Sequence, residues 1–196
     1  MSIADKLVAI AENQQRVYDA GIFTAGYENG YGDGAGAVAD GSIEQLKSDK
    51  VKLVAQGSFS DRTLLKSVYL PNVLYINNQA FSGCMRLTDV YIPKCTRIEN
   101  EAFATCNIKK IDLPSVTYLG QYALINNPLE EIILRNTSAV IPMLESYTLA
   151  ESLIGAGTGY VYVPRALVDS YKSATNWSAV ADQIRAIEDY PEITGG

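Results

Sequence analysis

The stretch that decides the fold is LKSVYLPNVLYINNQAFSGCMR, Leu65–Arg86, because the chain then says it again: LTDVYIPKCTRIENEAFATCN, Leu87–Asn107, and IKKIDLPSVTYLGQYALINNP, Ile108–Pro128. A fourth stretch, LEEIILRNTSAVIP from Leu129, opens the same way and drifts. Upstream, GSFSDRTLLKSVYLP places Phe59 one period of 22 residues before Phe81. A period of this length signals a stacked architecture rather than an ordinary globule.

The columns agree position by position: Leu65, Leu87, Ile108, Leu129; Val68, Val90, Ile111, Ile132; Leu70, Ile92, Leu113, Leu134; Pro71, Pro93, Pro114. Alternation within VYL, VYI and IDL is the two-residue period of a strand with one buried face. Proline then ends the strand, having no N–H for the neighbouring coil. Further inward columns follow at Ile76, Ile98, Leu119, at Ala80, Ala102, Ala123 and at Phe81, Phe103, Leu124. No unit buries its apolar face alone, so successive coils must stack on one core.

The pattern L-x-x-V-x-L-P, an inward Ile or Leu, then A-F-x-x-C, resembles the BspA-type leucine-rich repeat of many bacterial and phage proteins, over Val51 to Thr137. The spacing from Pro71 to Ile76 is a residue shorter than the commoner form, implying a tighter turn after the strand. The fold class expected is an α+β repeat solenoid: a leucine-rich-repeat-like stack of about four to five 21–22-residue coils with a parallel sheet, an N-terminal helix and a C-terminal cap. The organisation expected is a helix over 1–20, a glycine-rich tether over 21–45, the solenoid over 46–137 and the cap over 138–196.

At the amino end Ile3, Leu7, Ile10, Gln14 and Val17 keep a/d spacing, a candidate oligomerisation seam, with a trimer foremost. The same residues equally describe an amphipathic helix lying on its own solenoid. AGIFTAGYENGYGDGAGAVADG then has too little to bury for a core and reads as a tether. In the cap, YVYVP reads as a strand and Ala166, Leu167, Tyr171 and Ala174 as a helix. Trp177 is read as cap packing, with ligand stacking the alternative. The opening MSIADKLVAIAENQQRVYDAG and the segment after the repeats resemble parts of proteins encoded in phages and prophages of gut Firmicutes.

Chemistry is sparse. No histidine occurs, which removes Ser-His and Cys-His pairs. Gly32, Gly34 and Ala37 match G-x-G-x-x-A without a preceding buried strand, and no G-K-[ST] occurs. Glu130 and Glu131, as strand neighbours, point to opposite faces and do not flank one bond. Neither enzyme activity, cofactor nor metal is expected.

Cys84 and Cys106 share a column with Asn127 and read as inward, loop-capping groups, reduced rather than joined in a disulfide. A net charge of −6 argues against nucleic acid, and the absence of a long apolar run and of a secretion signal against membrane insertion and export by its own leader.

What remains is a surface. Tyr69 and Tyr91 should stack outward beside Asp89, Lys110 and Asp112, with Ile133 outward farther along. These five are the candidate binding residues, the alternative being that the tyrosine pair only stabilises the sheet. The expected function is a non-enzymatic phage or prophage structural protein (tail, fibre or decoration component) located in the virion, or in the cytoplasm before release. Its partners would be other virion proteins, or a host-surface protein or glycan. The alternative is a bacterial leucine-rich repeat interaction or adhesion module.

Overall fold

The computed structural model describes residues 43–137 and 141–194. The helical seam of Ile3, Leu7, Ile10, Gln14 and Val17, and the glycine-rich stretch up to residue 42, lie outside the described residues. Strands come in pairs, two per coil, up to Leu144. One set comprises β1 (Gln45–Lys47), β3 (Ser67–Tyr69), β5 (Asp89–Tyr91), β7 (Lys110–Asp112), β9 (Glu131–Ile133), β11 (Tyr160–Val163) and β12 (Ile184–Ala186). The other comprises β2 (Leu53–Val54), β4 (Tyr75–Ile76), β6 (Arg97–Ile98), β8 (Tyr118–Leu119) and β10 (Met143–Leu144).

All pairings are parallel. The short strands form one face in the order β10-β8-β6-β4-β2. The other face is two sheets, β1-β3-β5 and β7-β9-β11-β12, so it is interrupted between β5 and β7. The interruption falls where the repeat changes length. Met85 and Arg86 separate Cys84 from Leu87, whereas Asn107 alone separates Cys106 from Ile108, and Pro128 alone separates Asn127 from Leu129. Strands β3 and β5, entered from turns of like length, pair, as do β7 and β9; β5 and β7, at the change from long to short, do not. Val90 accordingly is half-buried, while Val68, Ile111 and Ile132 in its column are buried.

Side chains of like position stack through the core. Phe59, Phe81 and Phe103 form a spine with ring centroids 5.3 and 5.1 Å apart and planes within 9° and 6°. Beside it run Ala80, Ala102 and Ala123, all fully buried. Where this column holds a hydroxyl, it bonds the carbonyl three residues back: Ser58 Oγ to Ala55 O and Thr148 Oγ1 to Glu145 O, both 2.8 Å. After each proline a tight turn closes, as in Val73 N–H to Leu70 O (3.2 Å) and Cys95 N–H to Ile92 O (3.0 Å).

The expected capping ladder is present. Cys84 Sγ donates to Phe59 O (3.1 Å), Cys106 Sγ to Phe81 O (3.2 Å) and Asn127 Nδ2 to Phe103 O (2.7 Å), each one coil back. Asn127 adds what the thiols lack: its Oδ1 accepts the buried Ile108 N–H at 3.0 Å. All three cysteines are free, and burial pushes the thiols of Cys84 and Cys95 up to about 12 and that of Cys106 higher still.

After β11 come a helix α1 (Val168–Ser173), a 3-10 segment (Trp177–Gln183), β12 and a terminal helical turn α2 (Pro191–Thr194). Trp177 is fully buried edge-on to Tyr171, and its indole N–H donates to Pro142 O at 2.7 Å, tying this segment to β10. The chain then crosses the outer surface of the second sheet. Ile187, Tyr190 and Ile193 cover Ile133 and Tyr162 there, and Arg135 Nη2 donates to Ile193 O at 2.6 Å. Ile133 is therefore buried, correcting the expectation from alternation alone that it faces outward.

Candidate surface for recognition

Strand β3 ends on Tyr69 and β5 on Tyr91, in register, so both rings leave the sheet on the same side. Their centroids stand 4.7 Å apart with planes 12° from parallel, and both are exposed. Lys47, the register partner of Tyr69 on β1, lays its ammonium over the Tyr69 ring at 5.2 Å. The interruption beyond β5 opens a groove of about 600 Å³. Tyr69, Tyr91, Asp89, Lys110 and Asp112 all line it, joined by Lys109. The structure thus brings all five sequence-predicted surface residues to one concavity.

Its charges are unevenly spent. Lys110 pairs with Glu131 (2.8 Å) and Lys109 with Glu130 (3.2 Å), each across to the next coil. Asp112 Oδ2 takes Arg135 Nε at 2.8 Å, while its Oδ1 has no donor. Asp89 accepts a hydrogen bond from the Thr88 hydroxyl (2.6 Å) and, among the described residues, has no ion-pair partner. The groove is therefore an aromatic ledge beside the exposed Asp89, with the unpaired Asp112 Oδ1 buried behind it. Beyond it, burial and then the Glu131 carboxylate push the Tyr162 phenol up, favouring the neutral ring under the C-terminal segment.

The opposite face carries a second outward column that the repeat pattern did not single out: Leu53, Tyr75, Arg97, Tyr118 and Met143 in continuous register. Arg97 lies over Tyr118 at 3.9 Å and donates to Glu99 at 2.9 Å; that hydrogen bond raises the Arg97 pKa. The signal was one residue before the Ile76, Ile98, Leu119 column, visible only once those positions are known to be strand. Among the described residues no cluster of His, Cys, Asp or Glu is placed to hold a metal ion, and no helix is long and apolar enough to cross a membrane.

Comparison with known proteins agrees with this architecture. No curated protein sequence matches the chain. Among solved structures, the crystal structure of the pneumococcal vaccine antigen PcpA is similar at a TM-score of 0.52 and 18% identity, over 74% of this chain. The matched part is 40% of that antigen's chain, and the likeness is one of fold. The family model described as BspA type leucine rich repeat region matches residues 42–153 in six copies. That match spans more than half of the chain, whose strands stack in parallel, and the chain belongs to the BspA type leucine-rich repeat family.

Proposed function

We propose that the chain is a non-enzymatic recognition module that holds a protein partner on the Tyr69–Tyr91 ledge and the groove beside it. One observation carries this reading: the outward column is covered by the chain's own C-terminal segment at Ile133 and Tyr162, but among the described residues left open at Tyr69 and Tyr91. Stacked tyrosines present apolar area held in place by their neighbours, with polar tips, the composition that recognition surfaces favour.

In its finer form the proposal places the module in a phage or prophage particle, as a tail, fibre or decoration component. Residues 1–20 attach or assemble it, with Ile3, Leu7, Ile10, Gln14 and Val17 as the seam, and the glycine-rich stretch is the tether. This form is supported by the resemblance of the opening residues and of the segment after the repeats to phage-encoded proteins. Several copies on one particle then gain avidity from proximity, so a shallow groove suffices. A second form, a bacterial interaction or adhesion module, is supported by the repeat family itself.

Labelled full-length chain is to be measured by flow cytometry on the bacterium whose genome encodes it, beside a Tyr69→Ser/Tyr91→Ser variant. Binding should saturate and weaken by about tenfold or more in the variant, as expected for a central aromatic pair. Binding equal in the two chains refutes the ledge. Immunogold labelling of particles induced from the same strain separates the two forms: decorated particles support the virion, and bare particles with labelled cells support adhesion.

A further inference from the structure

Three rings on the outside of this solenoid carry cations. Lys47 sits over Tyr69, Arg97 over Tyr118, and Arg185 over Tyr160 at 4.7 Å. Tyr91 stands apart. One of its faces is taken by Tyr69, and the stacking direction turns the other toward β7, across the break in the sheet. The next residue of that outward column is Asp112, so the free face looks onto a carboxylate rather than another ring.

The rest of the groove points the same way. Asp89 beside Tyr91 has only the Thr88 hydroxyl, Asp112 has one oxygen on Arg135 and the other buried, and both lysines are committed to glutamates. A flat π face next to an under-used carboxylate is complementary to a planar cation with several donors, which among side chains is the guanidinium. A volume of about 600 Å³ exceeds one side chain and leaves room for flanking backbone. Farther along the same surface the solenoid already holds a peptide segment, by other contacts, with Ile193 and Tyr190 packed on the sheet and Arg135 bonding its backbone.

We propose that the break between β5 and β7 is an arginine slot for a protein partner's peptide, the guanidinium stacked on the free face of Tyr91 and hydrogen-bonded to Asp89. Asp112, its charge balanced by Arg135, borders the slot on the β7 side. This deepens the recognition reading above and rests on it. The occupant is a basic peptide segment; a glycan in its place is an outcome of the test.

The test is an amide chemical-shift titration of the full 196-residue chain with N-acetyl-arginine amide, N-acetyl-lysine amide and N-acetylglucosamine as separate probes. The arginine probe should shift amides at Asp89–Ile92 and Lys110–Asp112 with a dissociation constant in the millimolar range, the lysine probe several-fold more weakly. Asp89→Asn and Tyr91→Leu should each weaken the arginine probe by about threefold to fivefold, the scale of exposed charge pairs and cation–π contacts, with the remaining spectrum unchanged. Raised salt should weaken it further.

No shift in the groove, or shifts equal for lysine and indifferent to Asp89→Asn, overturns the slot. If N-acetylglucosamine alone shifts these amides, the arginine proposal falls while recognition on the ledge stands. If arginine is silent and the Tyr69→Ser/Tyr91→Ser variant still binds cells as the parent does, both fall.

Discussion

Replacing Asn127 by cysteine tests the capping ladder at its least ordinary rung. The substitution writes into the third unit the residue that the two preceding units carry at Cys84 and Cys106. A thiol there would still donate to Phe103 O, as its counterparts do to Phe59 O and Phe81 O. What it loses is the acceptor for Ile108 N–H, a buried donor whose partner is Asn127 Oδ1 at 3.0 Å. Leaving a buried donor unpaired costs about 1–3 kcal/mol, so Asn127→Cys should lose about 2 kcal/mol. Asn127→Ala, which also uncaps Phe103 O and leaves a void, should lose about 3 kcal/mol. At about 2–4 °C per kcal/mol for a chain of this size, Tm should fall by roughly 6 °C and 9 °C. Circular dichroism gives the midpoints, and hydrogen exchange at the Ile108 amide gives the cause, which should become at least about tenfold faster. An Asn127→Cys chain with an unchanged midpoint and a protected Ile108 amide would refute the assignment of stability to that one bond.

Gly120→Ala should destabilise by about 2 kcal/mol, because a Cβ there would stand 2.6 Å from the Asn100 amide nitrogen and from Glu99 C, backbone atoms of the coil beneath; urea unfolding measures it. The thiols predict alkaline weakness. Burial raises the folded pKa of Cys84 and Cys95 to about 12, so the folded chain keeps protons the unfolded chain releases from about pH 8.5. Stability is therefore full below that pH and falls as pH climbs toward 12, read from urea midpoints between pH 7 and 11. At pH 8 iodoacetamide should leave all three cysteines unmodified in the native chain and label all three in guanidinium. Light scattering after size exclusion should give an oligomer for the full chain and a monomer for one starting near Gly41, if Ile3, Leu7, Ile10, Gln14 and Val17 form the proposed seam.

What the sequence discloses is what repeats. Leu65, Val68, Leu70, Ile76, Ala80 and Phe81 recur in phase, and each is buried in the structure, because a solenoid translates sequence period directly into spatial neighbours. The outward stacking of Tyr69 on Tyr91 follows from the same phase. The period fades after Leu129 for a local reason: Leu119 and Leu144 occupy equivalent, paired positions but lie 25 residues apart, against 21 between Ile98 and Leu119. The coil continues while its spacing does not. Burial of Ile133 and Tyr162 was illegible because their cover, Ile187 to Ile193, comes from far along the chain and carries no repeat signal.

The groove itself arises from a mismatch that the sequence contains but does not explain. A solenoid with constant period pairs every strand with the next, leaving a continuous face and exposed edges only at its ends. Here the turn before β7 loses one residue relative to the turn before β5, and the sheet parts at that junction alone among β1, β3, β5, β7 and β9. The parting half-exposes Val90, frees one face of Tyr91 and sets Asp89 and Asp112 on either side of the opening. Restoring the residue, by inserting Arg after Asn107 to imitate Met85–Arg86, should pair β7 with β5, bury Val90 and move the break to the junction of β7 with β9, where the short turn at Pro128 then begins. Such a chain, still with one break in the face, should keep about the parent's stability, yet lose the arginine-probe shifts at Asp89–Ile92. Stability kept and recognition lost would locate the proposed activity in the irregularity rather than in the repeat.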